Sequence, residues 1–160
     1  MRTGVAGTLA RLDAFRIGWS ERLCAGSATV RIASHALEGL PGLHTARADA
    51  FVTGLGYQPI GGNWELLDAD AAPDAPRSAL AALREAFAHS MVFAREPWLG
   101  EADAIAMGAE FLACFDPASR QIVTNRMYFG WNPITTASIE WAFVAFDDQA
   151  IALLLATDED

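Results

Sequence analysis

The stretch that decides the fold is residues 109–160, AEFLACFDPASRQIVTNRMYFGWNPITTASIEWAFVAFDDQAIALLLATDED. Three turn signals divide it. Asp116-Pro117-Ala118-Ser119 has Asp at the first position and Pro at the second, as a type I turn favours. Gly130-Trp131-Asn132-Pro133 and Asp147-Asp148-Gln149 are the other two. The runs between them, 110–115, 121–129, 138–146 and 151–156, are rich in aromatic and β-branched residues and read as strands joined in order. The last two runs are apolar on both faces, which suits strands inside a sheet better than a solvated edge. The acidic end, Asp158-Glu159-Asp160, reads as a solvated tail that blocks edge pairing.

The turns also imply a register. A first hairpin centred between Ala118 and Ser119 sets Phe115 opposite Ile122 and Phe111 opposite Arg126. A second, centred near Pro133, sets Arg126 opposite Glu140. Opposite charges across strands contribute about 0.2 to 1 kcal/mol when exposed, and either one left alone in an apolar sheet is costly. The expectation is that Arg126 and Glu140 pair across adjacent strands.

Upstream, the pattern is helical. Val5, Leu9, Leu12, Trp19 and Leu23 recur at spacings that give an amphipathic helix over 3–23, capped by Thr3, with the stem of Arg16 packing on the apolar stripe. Residues 28–40 fit a strand and a helix equally. Leu40-Pro41-Gly42-Leu43 is a turn, and from Thr45 a helix places Ala48, Phe51, Val52 and Leu55 on one face, with Gly56 just past its end. Residues 57–67 suggest a short hairpin around Gly61-Gly62-Asn63. The stretch 68–77, with Pro73 and Pro76, is a surface loop or linker. Leu80, Leu83, Phe87 and Met91 mark another helix, broken at Glu96-Pro97, and a shorter helical turn over 101–107 is closed by Gly108. The fold class is α+β: a C-terminal antiparallel β-meander of about four strands with N-terminal and central helices packed on it, in one domain spanning 1–160.

Composition narrows the function classes. The 160 residues are 52% hydrophobic and 19% charged, which is a globular composition. The formal charge is −9, lysine is absent, and the arginines are scattered from Arg2 to Arg126. Phosphate neutralisation drives nucleic-acid affinity, so this balance argues against nucleic acid as a partner. No run reaches the roughly 20 apolar residues that cross a bilayer, so no membrane role is expected. Arg11, Asp13, Arg16, Glu21 and Arg22 interrupt any signal-type apolar region, and the expected location is cytoplasmic. Cys24 and Cys114, in apolar settings, are expected to be buried, inert thiols.

Few residues point to chemistry. His35, Glu38 and His44 come nearest to a ligand cluster, but no HExxH or CxxC spacing supports zinc, and His89 suits a helix C-terminus. There is no GxSxG elbow, and Gly54-Leu55-Gly56 and Gly61-Gly62 lack the context of a phosphate loop. No catalytic residue, metal or cofactor is therefore assigned. Asn125, Arg126, Trp131 and Asn132, with Glu140, form the best recognition patch, because rigid and multi-donor groups are enriched where proteins bind specifically. The structural alternative is that Trp131 covers the core edge while Asn132 and Pro133 only make the turn. The leading expectation is a small acidic binding module of the inhibitor, immunity or adaptor kind that recognises a basic protein partner. The alternative is a small-ligand-binding domain or enzyme with a pocket between helices and sheet near Arg126 and Glu140. A homo-oligomer is a third reading.

Overall fold

The computed structural model describes residues 7–37, 42–127 and 130–159. The architecture is α+β, built on a five-stranded sheet in which every pairing is antiparallel. Its strands are β1 (Thr29–Ala36), β2 (Glu65–Leu67), β3 (Gln121–Thr124), β6 (Ile139–Phe146) and β7 (Ala150–Asp158), in the order β1-β7-β6-β3-β2. A separate two-stranded ribbon pairs β4 (Arg126–Met127) with β5 (Gly130–Trp131). The helices are α1 (Thr8–Leu23), α2 (His44–Gly54), α3 (Ala79–Phe87) and α4 (Glu101–Ala113).

The two runs that are apolar on both faces, β6 and β7, occupy the interior of the sheet, and helices cover both faces. Alternation divides their side chains between two cores. Phe143, Ala145, Ala152 and Leu154 pack with α1, α3 and α4 on one side. Val144, Phe146, Ile151 and Leu153 pack with α2, Trp64 and Ile134 on the other. A sheet buried this way needs no polar face on its central strands, so their sequence carries none.

Residues 110–115, read as the first strand of the meander, belong instead to the end of α4 and the turn after it. Ala104, Met107, Gly108, Phe111 and Leu112 are buried at helical spacing. Gly108 does not stop this helix but sits inside it. A Cβ there would lie 3.2 Å from the Cβ and Cδ1 of Leu83, so glycine permits the close approach of α3 and α4. The meander therefore has three strands, β3, β6 and β7. With the first hairpin gone, its register goes too: Phe111 packs against the rings of Phe15 and Phe115 at 5.3 and 5.5 Å, within the helical layer.

In α1 the buried stripe is Thr8, Leu12, Phe15, Trp19 and Leu23. Phe15 takes the place assigned to Arg16, which is exposed beside Asp13, and Leu9 is 40% exposed. The Thr3 cap, Val5, Glu38, Leu40, Pro41, Tyr128, Phe129 and Asp160 lie outside the described residues. The ambiguous stretch near 28–40 contains edge strand β1. Gly56, with φ +97°, ends the α2 segment in the left-handed region, as read from sequence. Of the two arms expected near 57–67, Glu65–Leu67 is β2 and pairs with β3. The other arm joins a different neighbour: the Gln58 N–H donates to the Ile134 carbonyl at 3.0 Å. Ser78 caps α3, its hydroxyl accepting from the Ala81 N–H at 3.1 Å, and Met91 falls beyond the helix end.

Candidate functional site

β3 ends at Asn125, whose fully buried side chain organises the chain on both sides of it. Its Oδ1 accepts the Ala142 N–H at 2.8 Å, and its Nδ2 donates to the Asn132 carbonyl at 2.9 Å and to Glu140 Oε2 at 2.7 Å. Glu140 is also fully buried. Its Oε2 accepts the Ile134 N–H at 2.8 Å, and its Oε1 accepts the Thr135 N–H at 3.0 Å and the Thr135 hydroxyl at 2.6 Å. Every neighbour of the carboxylate is a donor, which satisfies it without a cation. The Asn125 and Glu140 side chains thus form one buried network that, through the Asn132 carbonyl and the Ile134 and Thr135 N–H groups, pins the segment from Asn132 to Thr135 onto β6. The half-buried Asn132 side chain turns away to donate to Met127 Sδ at 3.6 Å.

Arg126 and Glu140 do not pair. β3 gives way to β4 at Asn125, so Arg126 is registered against Trp131, and Glu140 against Thr157 of β7. The Arg126 guanidinium turns to the α3 side of the sheet. It donates to the Ala82 carbonyl of α3 at 2.9 Å and lies 4.4 Å from the centre of the Trp141 ring, against which Trp131 packs edge-on at 5.4 Å. Burial pushes its pKa down, and Glu85 works in the other direction. The five residues of the expected patch therefore divide: Asn125 and Glu140 form a buried amide–carboxylate network that holds the Asn132 backbone, and Arg126 sits between α3 and the face of Trp141, whose ring Trp131 meets edge-on.

The pinned segment forms one wall of a cleft of about 430 Å³ on the α2 side of the sheet. Thr135, Thr136 and Ala137 line it on that side. Thr29 and Arg31 of β1 and Leu155 and Thr157 of β7 form the floor, with Tyr57 and Glu159 at the rim. Arg31 Nη1 donates to the Tyr57 hydroxyl at 2.9 Å, with the guanidinium 5.5 Å from the centre of that ring. Glu159 accepts the Ser138 hydroxyl at 2.8 Å. The hydroxyls of Thr29, Thr136 and Thr157 make no hydrogen bond among the described residues. The ends of the cleft carry opposite charge and its middle is lined by hydroxyls. Sequence reasoning missed these residues, because Thr29 and Arg31 lie in the ambiguous 28–40 stretch and Tyr57 reaches them only through the fold. The one local signal was the Thr135-Thr136 pair directly after a Pro-containing turn.

A second carboxylate shapes the same side. Asp49 of α2 accepts the N–H groups of Ile60 and Gly61 at 2.8 and 2.9 Å and the Trp64 indole N–H at 2.8 Å, clamping the 3-10 turn Gly61–Asn63. The His35 ring packs edge-on to Phe51 at 5.8 Å, His44 opens α2, and exposed His89 comes just after α3. Among the described residues no three His, Cys, Asp or Glu side chains are grouped to hold a metal. Cys24 is exposed, contrary to the expectation, because it lies past the end of α1. Cys114 is buried, and burial pushes its thiol up to about 11, with Arg11 opposing and Glu110 adding. Among the described residues no helix is long and apolar enough to cross a membrane. Comparison with protein-family models, curated proteins and solved structures finds no match for this chain.

Proposed function

We propose that this chain is a binding module that recognises a basic protein partner through its acidic surface. The observation that carries this reading is the direction in which its charges point. Several arginines are already engaged within the chain: Arg11 donates to the Cys114 carbonyl at 2.8 Å, Arg77 to Leu66 at 3.0 Å, Arg120 to Leu112 at 3.0 Å and Arg126 to Ala82 at 2.9 Å, while Arg16 and Arg22 pair with Asp13 and Asp103. Glu21, Asp74, Glu96, Glu101, Glu110 and Asp148 are exposed, and their side chains make no hydrogen bond or ion pair among the described residues. A chain of formal charge −9 with these carboxylates exposed presents a negative field, which speeds encounter with a basic surface and weakens in salt.

The test is affinity capture from the source cells, then titration of the purified pair at about 0.1 M and about 1 M salt, between which the screening length falls from about 10 Å to about 3 Å. The expected result is one stoichiometric, basic protein whose affinity falls steeply with salt. Recovery of no stoichiometric partner at low salt, or of one indifferent to salt, refutes the reading. The cleft of about 430 Å³ favours a second reading, a small-ligand-binding domain whose ligand sits on the α2 side beside the Glu140 network rather than beside Arg126.

A further inference from the structure

We propose that the cleft on the α2 side binds a short zwitterionic peptide, its terminal carboxylate on Arg31 and its terminal ammonium on Glu159. This rests on the second reading above and gives it a ligand class. The floor is one pair of strands. Arg31 is registered against Leu155 and Thr29 against Thr157, and Glu159 lies two residues further along the same face. The charged ends of the cleft are therefore set about 13 Å apart along the chain, at about 3.3 Å per residue. An extended tripeptide covers about 10 Å, and the length of the Arg31 and Glu159 side chains is enough to span the remainder.

The lining selects among ligand classes. Arg31 spends one nitrogen on Tyr57 and keeps the rest of its donor fork for a carboxylate, which it matches in two-pronged geometry. Glu159 accepts from the Ser138 hydroxyl and N–H, and a carboxylate has about four lone-pair sites, so it retains acceptor capacity for an ammonium. Between these poles, the hydroxyls of Thr29, Thr136 and Thr157, unpartnered among the described residues, both donate and accept, as the amides of a peptide backbone require. A phosphate ester meets one cation in a chain of charge −9, and an apolar ligand strands three hydroxyls. A zwitterion with amides along its middle satisfies every group.

The experiment is a titration of the ¹⁵N-labelled full chain with triglycine, with its C-terminal amide, with N-acetyl-triglycine, and with the uncharged acetylated amide. Triglycine is expected to shift the amide signals of Thr29, Arg31, Thr136 and Thr157 saturably. Removing either terminal charge weakens binding by about tenfold or more, the step expected for one charge-assisted contact. Arg31→Gln abolishes the preference for the free carboxylate and leaves the preference for the free amine, and Glu159→Gln does the reverse. Both positions are exposed, and retention of the spectrum elsewhere reports that the variants fold. If the uncharged peptide binds in the cleft as tightly as triglycine, the zwitterion proposal falls and the small-ligand reading stands. If no peptide perturbs the cleft, the peptide proposal falls, and the small-ligand reading falls only if a screen of small anions, cations and neutral polar compounds leaves the same amide signals unmoved as well.

Discussion

Replacing Glu140 with glutamine keeps the shape of the side chain and changes one oxygen into a donor. In the native protein Oε2 accepts from Asn125 Nδ2 and the Ile134 N–H, and Oε1 accepts from the Thr135 N–H and hydroxyl, all at 2.6 to 3.0 Å. A glutamine amide turned toward Asn125 and Ile134 opposes two donors. Turned toward Thr135, it lets the hydroxyl rotate and accept, but leaves the Thr135 N–H without a partner. The second arrangement is the cheaper. It costs one stranded donor, about 1 to 3 kcal/mol, and weakens the other bonds, since a charged acceptor is worth roughly twice a neutral one. Glu140→Gln is expected to destabilise the fold by about 2 to 3 kcal/mol. Glu140→Ala, which strands every donor, costs about 4 kcal/mol, a large part of a typical total of about 5 to 15. Urea unfolding measures both. Amide hydrogen exchange at Ile134 and Thr135 localises the loss and should quicken far more there than in β7. A glutamine variant within about 0.5 kcal/mol of the parent, or unchanged exchange at those two amides, refutes the claim that Glu140 holds this segment.

Burial works against the charged form of Asp147. Hydrogen bonds from the Thr8 hydroxyl and the N–H groups of Asp116, Gln149 and Ala150 outweigh it and hold the carboxyl below its ordinary value of 3.8. Its contribution to stability is therefore present above that value and is lost as pH falls through the lower, folded one. The advantage of the parent over Asp147→Asn should shrink as thermal unfolding is tracked from about pH 5 toward pH 2, and a constant gap contradicts this. Gly108→Ala gains about 1 kcal/mol of helix propensity but sets its Cβ 3.2 Å from Leu83. Overpacking costs about 1 to 3 kcal/mol, so a net loss of about 1 kcal/mol is expected in chemical unfolding, and a stabilised variant shows that α3 yields freely. Iodoacetamide at neutral pH should modify exposed Cys24 and spare Cys114 until the chain unfolds, as read by mass spectrometry of the peptides.

What could be read from the sequence was what depends on local pattern. The two-sided apolarity of β6 and β7 placed them inside the sheet, Gly56 marked the end of α2, and the Asp147-Asp148-Gln149 turn formed where it was expected. What failed depended on distant neighbours. Phe111, Leu112 and Phe115 look like a strand in isolation. They end a helix because Phe15 and the small surface of Gly108 let α4 nest between α1 and α3. Arg126 and Glu140 looked like partners because a uniform register was carried through Asn125, and Asn125 is the residue that ends it. Its side chain, rather than a further ladder bond, receives the Ala142 N–H. A single side chain that substitutes for backbone pairing leaves no periodic trace.

The same substitution changes how the acidity of this chain should be understood. Asp49, Glu140 and Asp147 point inward, and each accepts three or more donors, mostly backbone N–H groups, from segments that no strand or helix satisfies. Arg11, Arg77, Arg120 and Arg126 do the complementary work on backbone carbonyls. The carboxylates hold irregular chain in place and the arginines tie side chains to regular elements and their ends, with no disulfide to do so, since Cys24 and Cys114 are free thiols. Two of the three carboxylates fix elements around the cleft: Glu140 sets its threonine wall, and Asp49 holds the turn after Tyr57. The internal charges therefore make the shape of the α2 side, and the field open to a partner comes from the exposed carboxylates that remain. Neutralising the outer set should weaken a basic partner without loosening the cleft, whereas removing Glu140 should loosen the cleft first.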